Sequence, residues 1–124
     1  METHMSDINE CLKAANDFKD KMNDNLKVRK LLKRWNPLIH FDTRDSDIKL
    51  SFGMSGGMAV SVESGHVGNA ELTVTFPTAK DLVDMFYGKL DPTPMYLSGD
   101  ILVKGHQADV IKLDAITMII WPEK

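Results

Sequence analysis

The sequence predicts a single α+β domain in which a five-stranded, mostly antiparallel sheet is covered on one face by helices. Two patterns predict it. Apolar residues recur every three to four positions in the first third of the chain and again near its end, as in amphipathic helices. Between these regions, apolar and polar residues alternate along four consecutive segments, as in strands with one face on a core. This order of elements groups the helices on one side of the sheet.

Length and composition bound the class of protein. The chain has 124 residues, of which 43% are hydrophobic and 27% charged, the mixture of one ordinary globular domain. We place that domain at residues 6–121 and treat residues 1–5 as a leader or cloning remnant. The formal net charge of −3 argues against a general nucleic-acid binder. A single cysteine, no secretory signal and no apolar run of membrane-spanning length make a cytoplasmic location the default expectation.

The first third of the chain is predicted to be helical. Ser6 is placed to cap a helix whose apolar stripe then repeats through Ile8, Cys11, Leu12, Ala15, Phe18 and Met22. An Asn-Asp-Asn run at 23–25 interrupts the stripe, and a second one follows through Leu26, Leu31, Leu32 and Trp35. The pattern leaves open whether this region is one long helix or two.

From Leu38 onward the period changes to two. The alternating segments are 38–43, 48–54, 58–63 and 71–76, and glycine-containing turns separate the last three. Short connections between alternating strands predict an antiparallel meander with one face on the core and the other in water.

Beyond Pro77 the predicted elements are short. They are a helix that follows a capping-box outline at 78–81, a second helix opened by Asp91 and Pro92, a strand at 100–104, and a last helix at 106–120 that Pro122 ends. Gly88 is well placed as the C-terminal cap of the first of these helices.

Two motifs in this half of the chain resemble the signature of the sterol carrier protein 2 (SCP-2) family. The first is the run Gly88-Lys89-Leu90-Asp91-Pro92, which in that family precedes a short helix. The second is the strand at 99–105, where the family has the form Gly-Lys-Leu-x-(Ile/Val)-x-Gly; Asp100 departs from that form. A helix with a lysine-leucine pair follows in the family, and the pair here is Lys112-Leu113.

Upstream segments agree with this family in their order. Residues 35–41 resemble the entry into its first strand, and residues 70–76 resemble the strand that leads into its Asp-Leu helix, here Asp81-Leu82. The resemblance spans about residues 24–118. It implies an SCP-2-like fold with an apolar tunnel between sheet and helices. It also implies loosely selective binding of fatty acids, acyl-CoA, sterols, phospholipids or isoprenoid lipids.

The resemblance therefore implies a non-catalytic carrier that binds and transfers long-chain lipids. The side chains expected to line the tunnel are Phe52, Met54, Leu82, Met85, Phe86, Met95, Leu97, Val110, Leu113 and Ile116. Methionines also concentrate in the core-forming segments, at 54, 58, 85, 95 and 118, and a flexible thioether suits an adaptable pocket. Two alternatives stay open: an interaction module with an ordinary filled core, and an accessory subunit that presents or senses an isoprenoid or quinone lipid for a partner enzyme.

Five basic residues crowd the second helical segment: Lys27, Arg29, Lys30, Lys33 and Arg34. One interpretation is a docking surface for anionic membranes. The other, which we favour from the sequence, is a solvated helix face whose apolar side packs on the sheet.

The remaining polar residues do not form a catalytic or metal-binding pattern. Cys11 has no histidine near it in sequence. Gly53 and Gly57 flank Ser55 at the spacing of a nucleophile elbow, but a hairpin turn explains this segment, and it lacks the strand-turn-helix context of an elbow. No two histidines have metal-ligand spacing among His4, His40, His66 and His106. We therefore expect no enzyme activity, no metal and no cofactor. The expected partners are a lipid or other hydrophobic small molecule and, transiently, an anionic membrane; a homodimer or an enzyme partner is left open, and no nucleic acid is expected.

Overall fold

The structure is a computed structural model that describes residues 7–121. Within that range it contains ten elements in the order α1 (Ile8–Asn23), α2 (Leu26–Leu31), β1 (Leu38–Thr43), β2 (Lys49–Ser55), β3 (Met58–Ser64), β4 (Leu72–Phe76), α3 (Ala79–Phe86), α4 (Pro92–Ser98), β5 (Leu102–Lys104) and α5 (Gln107–Ile120). The predicted order of elements is confirmed. The expectations for residues 1–5, Ser6 and Pro122 concern positions outside the described range.

The N-terminal third forms two helices because the Asn-Asp-Asn run ends one and begins the next. Asp7 caps α1 by accepting a hydrogen bond from Glu10 N at 2.9 Å. Asp24 is the C-terminal cap of α1, and the side chain of Asn25 accepts from Val28 N at 3.1 Å to start α2. The question that the sequence left open is thus settled by two capping residues placed side by side.

The sheet has the strand order β3-β2-β1-β4-β5. The pairs β1–β2, β2–β3 and β4–β5 are antiparallel, whereas β1 and β4 are parallel. A mostly antiparallel five-stranded sheet is confirmed, but the simple meander is wrong for β4, which lies beside β1 instead of β3. The reason is that residues 65–71 are long enough to carry the chain past β2 and β1 before β4 begins.

This crossing segment lies on the outer face of the sheet, opposite the helices. Ser51 Oγ donates to Gly65 O at 2.7 Å and accepts from Val67 N at 2.8 Å, and His40 Nε2 donates to Val67 O at 2.8 Å. His40 and Ser51 are cross-strand neighbours on β1 and β2, and both are buried. The expectation of a fully wetted outer face is therefore wrong where residues 65–71 cover it.

The core fills the space between the other face of the sheet and the helices. Alternate residues of the strands point into it, including Ile39 and Phe41 on β1 and Val74 on β4, all fully buried. Helix α1 contacts β3, β2 and α3, while α5 contacts α1, α2 and α4. Among the helices of residues 7–121, none combines the length and apolar character needed to cross a bilayer.

Candidate functional site

Four phenylalanine rings occupy the middle of the layer between sheet and helices. Phe86 of α3 lies 5.3 Å from Phe18 of α1 and 5.2 Å from Phe41 of β1, measured between ring centroids. Phe52 of β2 completes the group at 5.8 Å from Phe18 and 6.2 Å from Phe86. All four rings are buried. They join two helices to two strands through offset and edge contacts, the arrangement aromatic rings prefer.

Most of the side chains predicted to line a tunnel lie in this layer. Buried members of the predicted set come from β2, α3 and α5, and they are Phe52, Met54, Leu82, Met85, Phe86, Val110, Leu113 and Ile116. Met95 on α4 is partly buried against the same core. The prediction that Leu97 lines the tunnel is wrong, because its side chain is 70% exposed. Positions two apart on a helix face different directions, so burial of Met95 leaves Leu97 at the surface.

Three surface depressions can be described, and none of them is lined by the predicted set. One, of about 330 Å³, lies between α1 and Ile120 at the end of α5. A second, of about 430 Å³, lies on the outer face beside His40 and Lys104. The third, of about 250 Å³, lies beside Trp35 and His106. None of these three depressions therefore opens directly into the apolar layer.

Trp35 fastens the N-terminal end of α5 to the segment after α2. Its Nε1 donates to Asp109 Oδ1 at 3.0 Å. The Lys112 ammonium lies 5.4 Å from the Trp35 ring centroid and 3.6 Å from Asp109 Oδ1. One tryptophan, one carboxylate and one lysine thus form a compact clasp at the start of α5.

Trp121 fastens the other end of α5. Its Nε1 donates to Phe86 O at 3.0 Å, and its ring meets the Tyr87 ring edge-on at a centroid separation of 6.4 Å. The Lys21 ammonium of α1 lies 4.5 Å from the ring centroid. Neither clasp was predicted from the sequence. The available signal was a tryptophan at the end of each helical segment: Trp35 is the last apolar residue of the second stripe, and Trp121 directly follows the last predicted helix.

The basic residues of α2 and the following turn are mostly solvent-facing. Lys27, Lys30, Lys33 and Arg34 are exposed, and Arg29 is half-buried. The expectation that the apolar side of this helix packs on the core holds for Val28 and Leu32, but Leu26 is 57% and Leu31 is 60% exposed. Cationic and large apolar side chains therefore share one exposed surface here.

The two histidines on the outer face, His40 and His66, hold the crossing segment against the sheet. The His40 and His66 rings stack with centroids 4.2 Å apart and planes 8° from parallel. His66 Nε2 lies 3.2 Å from Phe41 O, to which it donates, and 3.9 Å from Asp42 Oδ2. The His66 ring thus lies between the backbone of β1 and the Asp42 carboxylate. Within residues 7–121, no group of three or more histidine, cysteine, aspartate or glutamate side chains is arranged to hold a metal ion.

Cys11 has the environment of a structural thiol. It is fully buried, and burial raises its pKa to about 11, with the negative charges of Glu10, Asp7 and Asp45 adding to the effect. A thiol with so high a pKa is almost entirely protonated near neutral pH, so it is a poor nucleophile.

Comparison with solved structures gives the fold. A sterol carrier protein domain 2 of Helicoverpa armigera is 16% identical and matches 98% of both chains with a TM-score of 0.68. A protein described as UbiJ-SCP2, a ubiquinone synthesis protein, is 16% identical over 89% of this chain and 94% of its own, with a TM-score of 0.70. A palmitated SCP2L2 from Aedes aegypti is 15% identical over 87% of this chain and 92% of its own, with a TM-score of 0.57.

Sequence comparison gives the family. No curated protein matches this chain significantly. The model of the SCP-2 sterol transfer family matches residues 15–117, which is most of the sequence. That match, the five-stranded mixed sheet and the apolar layer beneath α3 and α5 agree, and together they support lipid binding and transfer in general terms. The chain therefore belongs to the SCP-2 sterol transfer family.

Proposed function

We propose that this chain binds the tail of a long-chain lipid, of the fatty acid, acyl-CoA, sterol or isoprenoid type, and transfers it without catalysing a reaction. The tail would lie in the layer between the sheet and helices α3 and α5. The residues proposed to contact it are Phe52, Met54, Leu82, Met85, Phe86, Met95, Val110, Leu113 and Ile116. Leu97 is left out because its side chain is exposed.

Family membership, taken together with the chemistry of this layer, carries the proposal. Every proposed contact residue is apolar, and a related Aedes aegypti protein is described as palmitated. Each buried methylene contributes about 0.8 kcal/mol, so a tail of about 16 carbons offers on the order of 10 kcal/mol before the costs of association. Useful affinity then needs no specific polar contact, and selectivity among tails is expected to be weak.

Entry of a tail requires a helix to move, because the four phenylalanine rings are in contact with one another. Helix α5 is the element that we propose to move. It contacts α1, α2 and α4, and its ends are held by the Trp35–Asp109 and Trp121–Phe86 hydrogen bonds. Opening of one clasp would free one end of α5 while the other end acts as the hinge.

The first test is extraction and mass spectrometry of lipid from freshly purified protein, followed by uptake of a fluorescent fatty acid by the delipidated chain. We expect bound lipid and saturable uptake. Native mass spectra that show only bare protein, together with no uptake, would reject the proposal.

A matched pair of variants on α5 locates the site. Leu113→Trp places a larger side chain in the layer and should reduce uptake strongly, because the added volume takes the place of the tail. Gln107→Trp makes the same change at an exposed position of the same helix and should leave uptake unchanged. Circular dichroism checks that both variants are folded. Equal uptake by folded Leu113→Trp and Gln107→Trp would place the lipid elsewhere.

A second candidate is an accessory subunit that presents or senses an isoprenoid or quinone lipid for a partner enzyme. The structural similarity to a ubiquinone synthesis protein favours including it. The extracted lipid separates the two candidates. A prenylated quinone or its precursor, bound in preference to fatty acids, would favour the accessory subunit, whereas mixed acyl lipids would favour the general carrier.

A further inference from the structure

Helix α5 carries large apolar side chains on its outward side as well as on its buried side. Ile111 is 51% and Met118 is 58% exposed, and they share one helical stripe with Ala108 and Ala115. The buried stripe of the same helix is formed by other residues, among them Leu113 and Ile116. When a helix is apolar on both sides, its exposed apolar side usually indicates a surface that contacts another molecule or a membrane.

The neighbouring α2 supplies positive charge beside this apolar stripe. The segment from 26 to 35 contains five basic and no acidic residues, although the whole chain has 15 basic and 18 acidic ones. The positive charge is therefore local and is not a property of the whole surface. Leu31, which is 60% exposed, lies between Lys30 and the basic pair at 33 and 34.

The two helices form one continuous region because they are in contact with each other. The junction is the clasp in which Trp35 donates to Asp109 and lies beneath Lys112. Lys112, whose ammonium lies over the Trp35 ring at the end of the cationic segment, directly follows Ile111 in the chain, so positive charge lies beside the apolar stripe of α5. An apolar stripe flanked by lysine and arginine is the arrangement of elements that lie in a membrane interface.

We propose that this region, the α2–α5 surface, is the site at which the protein docks on an anionic bilayer. It consists of Lys30, Leu31, Lys33, Arg34, Ile111 and Met118. The basic side chains meet lipid headgroups, while the three apolar ones enter the boundary between headgroups and acyl chains. The purpose of docking rests on the proposed lipid transfer, because it brings the helix that must open into contact with the membrane.

Charge and apolar area make separate contributions, so they can be removed separately. Near an anionic surface each basic residue strengthens binding about fivefold at moderate salt, so Lys30→Glu/Lys33→Glu should weaken binding by about 25-fold or more. Ile111→Ser/Met118→Ser should weaken binding by about tenfold, because it removes the side chains that enter the interface. The first variant should lose most of the salt dependence, whereas the second should keep it.

The experiment is sedimentation of the full chain with vesicles of phosphatidylcholine alone or with about 30 mol% phosphatidylserine, at low and high salt. Two control variants make the same chemical changes elsewhere on the surface. Lys89→Glu/Lys104→Glu reverses two exposed lysines, and Val60→Ser removes an exposed valine of the sheet edge that is 62% accessible. Both controls should bind vesicles as the unaltered chain does.

The proposal is supported if the unaltered chain binds the anionic vesicles in a salt-sensitive way, both α2–α5 variants bind more weakly, and both controls bind as the unaltered chain does. Three results overturn it: no vesicle binding by the folded chain at low salt, equal loss in variants and controls, or a dimer that Ile111→Ser/Met118→Ser dissociates in the absence of vesicle binding. Lipid content, measured on the same samples, keeps the two proposals apart. If the protein contains bound lipid but does not bind vesicles, only the docking proposal is rejected. If it binds vesicles but takes up no lipid, only the proposed carrier function is rejected.

Discussion

Asn23 closes part of the sheet's outer edge with a single side chain. Its Nδ2 donates to Ala59 O and its Oδ1 accepts from Ala59 N, each at 2.8 Å. The amide therefore takes the place of a neighbouring strand at this residue of β3, which is an edge strand. Removal of the amide leaves a part-buried backbone donor and acceptor unsatisfied.

We expect Asn23→Ala to lower the free energy of unfolding by about 2 kcal/mol. Asn23→Asp should be nearly as harmful, because a carboxylate cannot donate to Ala59 O. Urea unfolding measures both. The control is Asn16→Ala, whose amide is exposed and bonds only within its own helix, to Leu12 O. If Asn23→Ala and Asn16→Ala were equally stable, the edge-closing role would be wrong.

Asp17 joins α1 to α3 through its carboxylate. The hydrogen bond from Lys13 Nζ, at 2.9 Å, and then that from Tyr87 Oη hold the pKa of Asp17 below its ordinary value of 3.8. A carboxyl whose pKa is lowered by folding stabilises the folded state above its unfolded pKa. That contribution disappears as the pH falls through the lowered, folded value.

Tyr87→Phe removes one of these two bonds, so we expect a loss of about 0.5 kcal/mol at neutral pH for this largely solvated contact. The stability lost on acidification below about pH 4 should also become smaller, because the Asp17 pKa moves back toward its ordinary value. Urea unfolding across this pH range is the measurement, with the half-buried Tyr96→Phe as control. A profile parallel to that of the unaltered chain would contradict the assignment.

At this scale, the sequence predicted which side chains are buried better than it predicted what they touch. Phe52 and Leu82 were predicted to be buried because strand and helix periods fix which way their side chains face. Leu97 was misplaced because a seven-residue helix gives too few turns for a period to be read. The two tryptophan clasps could not be assigned, since their hydrogen-bond partners lie 74 and 35 residues away in the chain.

Gly88 allows the end of α3 and the end of α5 to meet. It adopts φ +75°, and a Cβ on it would collide with the Trp121 ring. Gly99, which ends α4, adopts φ +90°, but a Cβ on it would have no neighbour within 4 Å. Both glycines are therefore needed for their positive φ, but only at Gly88 would an added side chain also collide with a neighbouring residue.

We expect Gly99→Ala to cost about 1 kcal/mol, the strain of a left-handed alanine, and Gly88→Ala to cost about 2 kcal/mol more because of the collision. Thermal or urea unfolding gives both values. In a Trp121→Gly background, which removes the Trp121 Cβ as well as the ring, the difference between the two glycine variants should vanish. A Gly88→Ala penalty that persists without the Trp121 side chain would show that the collision is not its cause.

The elements themselves were predictable, but the partner of β4 was not. Alternation in residues 71–76 correctly indicated a strand with one buried face. Alternation does not indicate which strand lies next to it. The expectation that consecutive strands with short connections are neighbours placed it beside β3. The deciding contacts are those of Ser51 and His40 with the segment 65–71. They are specific polar bonds that no periodicity encodes.

At the scale of the whole molecule, lipid and stability are linked. A ligand that binds only the folded chain stabilises it by about 2.7 kcal/mol at a free concentration 100 times its Kd. For a domain of this size that corresponds to a rise in Tm of about 10 °C. We expect a long-chain fatty acid to raise the Tm of delipidated protein and butyrate to leave it unchanged. Calorimetry that finds no shift with either would argue against binding in the folded interior.

The parallel pairing of β1 with β4 has a consequence for how the polypeptide is made. β1 is the middle strand, yet its second neighbour is synthesised only after the β2–β3 hairpin and the crossing segment. In a growing chain that ends at Ser64, one edge of β1 therefore has no strand beside it, and Phe41 is exposed. The unpaired backbone groups of that edge can form hydrogen bonds with another unfinished chain. Translation that pauses between Ser64 and Phe76 should consequently promote aggregation of this protein more than a pause after α3 has emerged.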